Sequence, residues 1–273
     1  MTAEAPMQKI RAFAAEQGLL AGVCDADAIG EGLAGEAQPR LDPRRHFPSA
    51  QSIVVLGRGY APPLNPGCLS SLAYGLDYHA ALAAHLQTLA ALLGGPSLHM
   101  VDNGPLCEQP FALKAGLGFR GRNGLVISRR FGSFFNIGLL LTAQQIDPFP
   151  AEDVRRANGC PAQCRCCAKA CPGGAISAAG IDNAACVSGL TQKRSGLASA
   201  KAALGHLYGC DRCQLVCPHN AAIQPLEVPS FMPAQILALD EAAFEAQFGH
   251  TAMAWRGLAH LQRNARILLS LED

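Results

Sequence analysis

Apolar positions in the first half of the chain recur at two different periods. Between residues 3 and 17, Met7, Ile10, Phe13 and Ala14 fall on one helical face. The run Ser52 to Leu56 (SIVVL) has the length and branching of a buried strand. Asp77 stands where a cap would start a helix over Tyr78 to Leu93, and Gly94-Gly95-Pro96 ends it. Ser97 to Val101 then reads as a strand, Pro105 to Ala115 as a helix, and Gly124 to Ile127 and Ile137 to Leu141 as further strands. Helices alternating with strands predict an α/β domain with a mixed or parallel sheet. After Ala143 the periodicity breaks. Asp147 to Pro229 is rich in Gly, Pro, Ala and Cys, and helical patterning returns only around Asp240 to Phe248 and Gly257 to Leu271. This divides the chain into an α/β domain over 1–150, a cysteine-rich domain over 151–229, and C-terminal helices over 230–273 that pack back on the core.

The 273 residues are 49% hydrophobic and 16% charged, which supports a sizeable core and argues against disorder. A net charge of +1 gives no global field to attract a polyanion, so contact with nucleic acid must come from a local patch. Acids and Gln interrupt the N-terminus where a signal peptide needs an apolar core. No apolar run reaches the ~20 residues that cross a bilayer. The expectation is a soluble, cytoplasmic, monomeric chain with no membrane partner. Structural disulfides are disfavoured in that compartment, and clustered cysteines point to metal.

Nine of the twelve cysteines lie between Cys160 and Cys217. Two segments share an ending, Cys164-x2-Cys167-x3-Cys171-Pro172 and Cys210-x2-Cys213-x3-Cys217-Pro218. In the ferredoxin run C-x2-C-x2-C-x3-C-P, three thiolates hold one cubane and the fourth reaches the neighbouring cluster. An exchange of this kind gives one 4Fe-4S cluster Cys160, Cys164, Cys167 and Cys217, and gives the other Cys171, Cys186, Cys210 and Cys213. The step from Cys160 to Cys164 has one residue more than the pattern, which leaves Cys166 as a spare or substitute ligand. Zinc also takes C-x2-C pairs but has no preference for the trailing C-P. Cys24, Cys68 and Cys107 stand apart and read as small core residues.

Several motifs together resemble the epoxyqueuosine reductases, cobalamin-dependent iron-sulfur enzymes related to reductive dehalogenases. They are Ala73-Tyr-Gly-Leu-Asp-Tyr-His79, Val101-Asp-Asn-Gly-Pro105, Ala115-Gly-Leu-Gly-Phe-Arg-Gly-Arg-Asn123, Arg130-Phe-Gly-Ser-Phe-Phe135, Cys171-Pro-Gly-Gly-Ala-Ile176, Cys186-Val-Ser-Gly-Leu-Thr191, Tyr208 to Pro218 and Leu261-Gln-Arg-Asn-Ala265. The resemblance implies a nitroreductase-like, cobalamin-binding α/β (α+β) domain followed by a ferredoxin-like double 4Fe-4S domain. It also implies a reduced cobalt centre that removes the epoxide oxygen of epoxyqueuosine in tRNA, fed by a flavodoxin- or ferredoxin-type donor. Asp102 is the matching acid. It follows a predicted strand, where α/β sheets gather their ligands, and can protonate the alkoxide left by epoxide opening. An Asp beside Gly-Pro is also an ordinary turn residue.

Glycines at 116, 118 and 121 suggest backbone that approaches a bulky ligand, with Arg120, Arg122 and Asn123 bonding the amides and phosphate of cobalamin. Tyr78 and His79 are expected to line the same pocket. His219 stands where the family has Trp. The sequence ends soon after Asn264, whereas full-length members continue into helical repeats that help grip tRNA. A reductase of another substrate, and a 4Fe-4S electron-transfer protein without catalysis, therefore remain as alternatives.

Overall fold

The structure is a computed structural model that describes residues 5–29, 40–65, 67–102, 104–151, 159–193 and 205–270. Of the residues singled out above, Ala3, Asn103 and Leu271 lie outside these ranges. The chain divides into two units, residues 1–59, 79–121 and 125–161 in the first and residues 60–78, 122–124 and 162–273 in the second.

The first unit opens with α1 (Pro6–Glu16), which buries Ile10, Phe13 and Ala14. Pro sits in its first turn, where a missing N–H costs nothing. β1 (Leu20–Asp25), which the sequence did not signal, pairs with β2 (Ser52–Gly59). Ile53, Val54, Val55 and Leu56 are all fully buried, so the strand shows no apolar alternation because both its faces are covered. α2 (Tyr78–Leu93) leads into β3 (Ser97–Val101), and α3 (Glu108–Lys114) follows. A two-residue hairpin, β4 (Phe119–Arg120) with β5 (Val126–Ile127), precedes β6 (Phe135–Thr142).

The four-stranded sheet has the order β1-β2-β6-β3, and every pairing in it is antiparallel. The mixed or parallel sheet expected from the alternation is thereby corrected. β2 and β3 do run in the same direction on either side of α2, but β6 enters between them, antiparallel to both. Apolar periodicity carries no information about such an insertion. Gly138 of β6 makes room for α2: a Cβ there would sit 2.9 Å from a terminal methyl of Leu86. Ile53, Val55, Phe111, Leu117, Leu139 and Leu141 fill the core of this unit, each contributing about 1.5–3 kcal/mol relative to exposure.

The second unit carries α4 (Cys166–Ala170), a hairpin of β7 (Ile176–Ser177) and β8 (Gly180–Ile181), α5 (Val187–Gln192) and α6 (Arg212–Leu215). Elements this short gain little from local propensity, so their order comes from packing and ligation. α7 (Pro233–Leu237), α8 (Glu241–Phe248) and α9 (Leu258–Leu269) supply a second core around Leu207, Ile236, Phe244 and Leu261. Asp240 caps α8 by accepting the Ala243 N–H at 2.7 Å.

Asn264 of α9 is fully buried, and its amide donates to the carbonyls of Thr191 (3.1 Å) and Leu207 (2.9 Å). The Thr191 hydroxyl accepts the Gly209 N–H at 2.9 Å. One buried amide therefore ties α9 to the end of α5 and to the chain that leads into Cys210. Asn264→Ala removes both donors and should destabilise the fold by about 1–3 kcal/mol. Thermal unfolding checks this, with about 2–4 °C expected per kcal/mol at this chain length; an unchanged Tm would refute it.

Candidate functional site

Asp102 is the first residue past β3, and its φ of +54° is the one left-handed value at a described residue other than glycine. That region crowds the β-carbon, and Asp and Asn are among the few side chains that enter it at modest cost. The surroundings must hold the backbone there. The carboxylate is 55% exposed, and Oδ2 lies 3.2 Å from Nε2 of His79, the second residue of α2. Tyr78 opens the same helix. Glu108, the first residue of α3, is pushed by burial from 4.5 up to about 7, and the negative charge of Asp102 adds to the effect. In sequence Glu108 looks like any acid in the first turn of a helix; its one signal is its place six residues past Asp102.

The glycine-rich segment has a local purpose. Gly116, at φ +67°, ends α3. A Cβ on Gly118 would fall 2.2 Å from the Ile127 carbonyl oxygen, so this glycine lets β4 lie against β5. Gly116 thus serves the end of the helix and Gly118 the hairpin. Arg120 is exposed on β4 in the first unit. Arg122 and Asn123 belong to the second, where the Arg122 guanidinium donates to the Ala162 carbonyl at 2.9 Å and Asn123 is buried.

In the second unit, Cys213 neighbours Cys210, Cys186 and Cys167, while Cys210 neighbours Cys186 and Cys171. Burial pushes the Cys210 thiol up to about 11 and the Cys213 thiol up to about 12. As bare thiols both keep their protons at neutral pH, and only a bound cation makes thiolates of them. Iron-sulfur ligation fits this donor set, since each cluster takes four thiolates. Among the described residues no three His, Cys, Asp or Glu side chains converge on a single-ion site.

Cys164 is more open. The Cys166 backbone N–H holds its thiol below the usual range, and the Cys166 side chain and the Arg122 and Arg165 guanidiniums act in the same direction. The Cys171 sulfur accepts the Ala175 N–H at 3.3 Å, a bond of the kind that tunes a cluster. Cys217 precedes the short turn Pro218–Asn220, Cys166 is exposed, and Cys160 falls with the first unit. Cys24 and Cys68 are buried as expected of core residues, but Cys107 is only half-buried.

Asp211, which no sequence motif marks, fixes the loop between Cys210 and Cys213. Its buried carboxylate accepts the Ser71 N–H and hydroxyl, both at 2.6 Å, and the Gln214 amide at 3.0 Å. An acid beside a ligand-type cysteine was the visible signal, but its partner is 140 residues away.

Residues 160–220 match the family model described as a 4Fe-4S double cluster binding domain, and residues 40–102 match the one described as Epoxyqueuosine reductase QueG, DUF1730. An epoxyqueuosine reductase of Listeria monocytogenes is 34% identical over 263 residues, covering 85% of this chain and 67% of that protein. The chain spans about two thirds of the length of the curated relatives it matches. The solved structure of epoxyqueuosine reductase from Streptococcus thermophilus is 30% identical with a TM-score of 0.84, covering 98% of this chain and 82% of that one. An epoxyqueuosine reductase crystallised with a tRNA-Tyr epoxyqueuosine-modified stem loop is 25% identical with a TM-score of 0.83, covering 97% of this chain and 80% of that one. With its mixed α/β fold and double-cluster segment, the chain belongs to the epoxyqueuosine reductase family.

Proposed function

We propose that this chain is a cobalamin-dependent iron-sulfur reductase that removes the epoxide oxygen of epoxyqueuosine in tRNA. The observation that carries the reading is Asp102, an exposed carboxyl held in a left-handed backbone at the end of β3 with His79 beside it. The two clusters are assigned Cys160, Cys164, Cys167 and Cys217, and Cys171, Cys186, Cys210 and Cys213. The proximity of Cys210 to Cys186 and Cys171 supports the second set. A flavodoxin- or ferredoxin-type donor, a monomeric state, a cytoplasmic location and a nitroreductase-like first unit belong to the same reading. No described helix is long and apolar enough to cross a membrane.

Removing an epoxide oxygen as water takes two electrons and two protons. Cobalamin, when bound, supplies the reduced centre at which the electrons reach the substrate. Its amides and phosphate fit the donor chemistry of Tyr78, His79, Arg120 and Asn123, while Arg122 is engaged beside Cys164. Asp102 gives a proton to the oxygen as the carbon–oxygen bond opens. The alkoxide is a poor leaving group until protonated, so a placed acid contributes about 10²–10⁴-fold. His79 orients the carboxyl by binding Oδ2. A substrate carried on tRNA brings its own phosphates, and contact with them must be local, because the net charge is only +1.

Chain reconstituted with iron, sulfide and cobalamin, and supplied with reduced flavodoxin, should convert an epoxyqueuosine-containing tRNA stem loop to the queuosine form. Nucleoside mass spectrometry reads the product, and no conversion would overturn the proposal. Asp102→Asn should lose about 10²–10⁴-fold in turnover with iron content and cobalamin absorbance retained; full turnover would remove Asp102 from its role. Arg120→Ala should weaken cobalamin binding by about 10- to 100-fold, the worth of a charged hydrogen bond, without altering iron content. Equal affinity in a spectroscopic titration would take Arg120 out of the cofactor set.

A further inference from the structure

A general acid must hold a proton when it is needed. An ordinary Asp, with a pKa of about 3.9, carries one in only about one molecule per thousand at neutral pH. Asp102 is more than half exposed, so burial does little to raise that fraction. His79 works against it, since a protonated ring beside Oδ2 favours the ionised carboxylate. A second carboxyl close by has the opposite effect, because two like charges resist coexisting and the pair retains a proton.

Glu108 is that second carboxyl. It opens α3 six residues past Asp102, and its carboxyl accepts the backbone N–H of Asp102 as well as its own. Oε1 is buried and has no hydrogen-bond partner among the described residues, a position that costs an ionised oxygen more than a neutral one. The charged groups that face it are Asp102, from the end of β3, and Arg40, whose carbonyl accepts the Cys107 N–H at 2.9 Å. The N–H of Glu108 itself, Arg40 and the Asp102 N–H favour ionisation, but burial and the Asp102 charge outweigh them.

We propose that Glu108 is a positioning residue that keeps the Asp102 carboxyl supplied with its proton. It holds the Asp102 backbone through the N–H bond and retains a proton that replaces the one Asp102 gives to the epoxide oxygen. The pair thus delivers one of the two protons that each removal of oxygen as water consumes; solvent supplies the other and reprotonates the pair between turnovers. The electrons come from the flavodoxin- or ferredoxin-type donor. This inference rests on the reading of Asp102 as the proton donor.

Glu108→Gln keeps the shape and an acceptor for the Asp102 N–H but cannot hold the proton. Two measurements on the reconstituted full chain test the idea. The first is Tm against pH. A carboxyl raised from 4.5 to about 7 contributes stability that is complete below pH 4.5 and lost as pH rises through about 7. The Glu108→Gln chain should therefore gain on the wild type across that window, and in Asp102→Asn the wild-type decline should shrink. Parallel curves for all three proteins would overturn the pairing. The second is turnover against pH. Glu108→Gln should move the alkaline limb down by about one pH unit or more, a tenfold loss at pH 7, with KM unchanged. A wild-type profile in Glu108→Gln would overturn the inference while leaving Asp102 in place. A wild type that makes no queuosine sinks the functional reading instead, and the Tm curves then still report whether the two carboxyls share a proton.

Discussion

Buried sulfur is the constraint on which the second unit turns. Cys210 and Cys213 lie where burial keeps a bare thiol protonated, among neighbouring cysteines that would repel one another as anions. Positive charge from bound iron is what lets such buried sulfurs sit together as thiolates, which couples cluster binding to loss of their protons. The protein frame then has to place the sulfurs. Asp211, clamped by Ser71, fixes the loop between Cys210 and Cys213, and Asn264 with Thr191 anchors the chain on either side. The short helices between the cysteines have little order of their own to offer.

The first unit solves a different problem, that of holding one exposed carboxyl, Asp102, in a fixed place. A sheet whose inner strand β2 is covered on both faces supplies the rigidity, and β3 ends where the backbone turns into a left-handed residue. Asp102 accepts that conformation at less cost than most side chains, and His79 and Glu108 reach it from two different helices.

Much of this was legible in the sequence. The two C-x2-C-x3-C-P runs identified the double-cluster segment because metal ligation imposes short, fixed spacings along the chain. α2 and β3 appeared at their observed bounds because capping and apolar periodicity are local signals. The insertion of β6 between β2 and β3 was not legible, since strand order is set by pairing across long separations. The local needs of Gly116 and Gly118 were not legible either, since a glycine needed for a left-handed backbone or for close strand packing looks the same in sequence as one cleared for a ligand. The Ser71–Asp211 and Asn264–Thr191 bonds join residues far apart in sequence, and no spacing rule reaches them.

Iron content is the most direct measure of the double-cluster segment. Anaerobic reconstitution followed by iron analysis and Mössbauer spectroscopy should find about eight iron atoms per chain, all in 4Fe-4S form, as two clusters of four thiolates each require. A chain that binds zinc in their place, or that saturates at about four iron atoms, would contradict it.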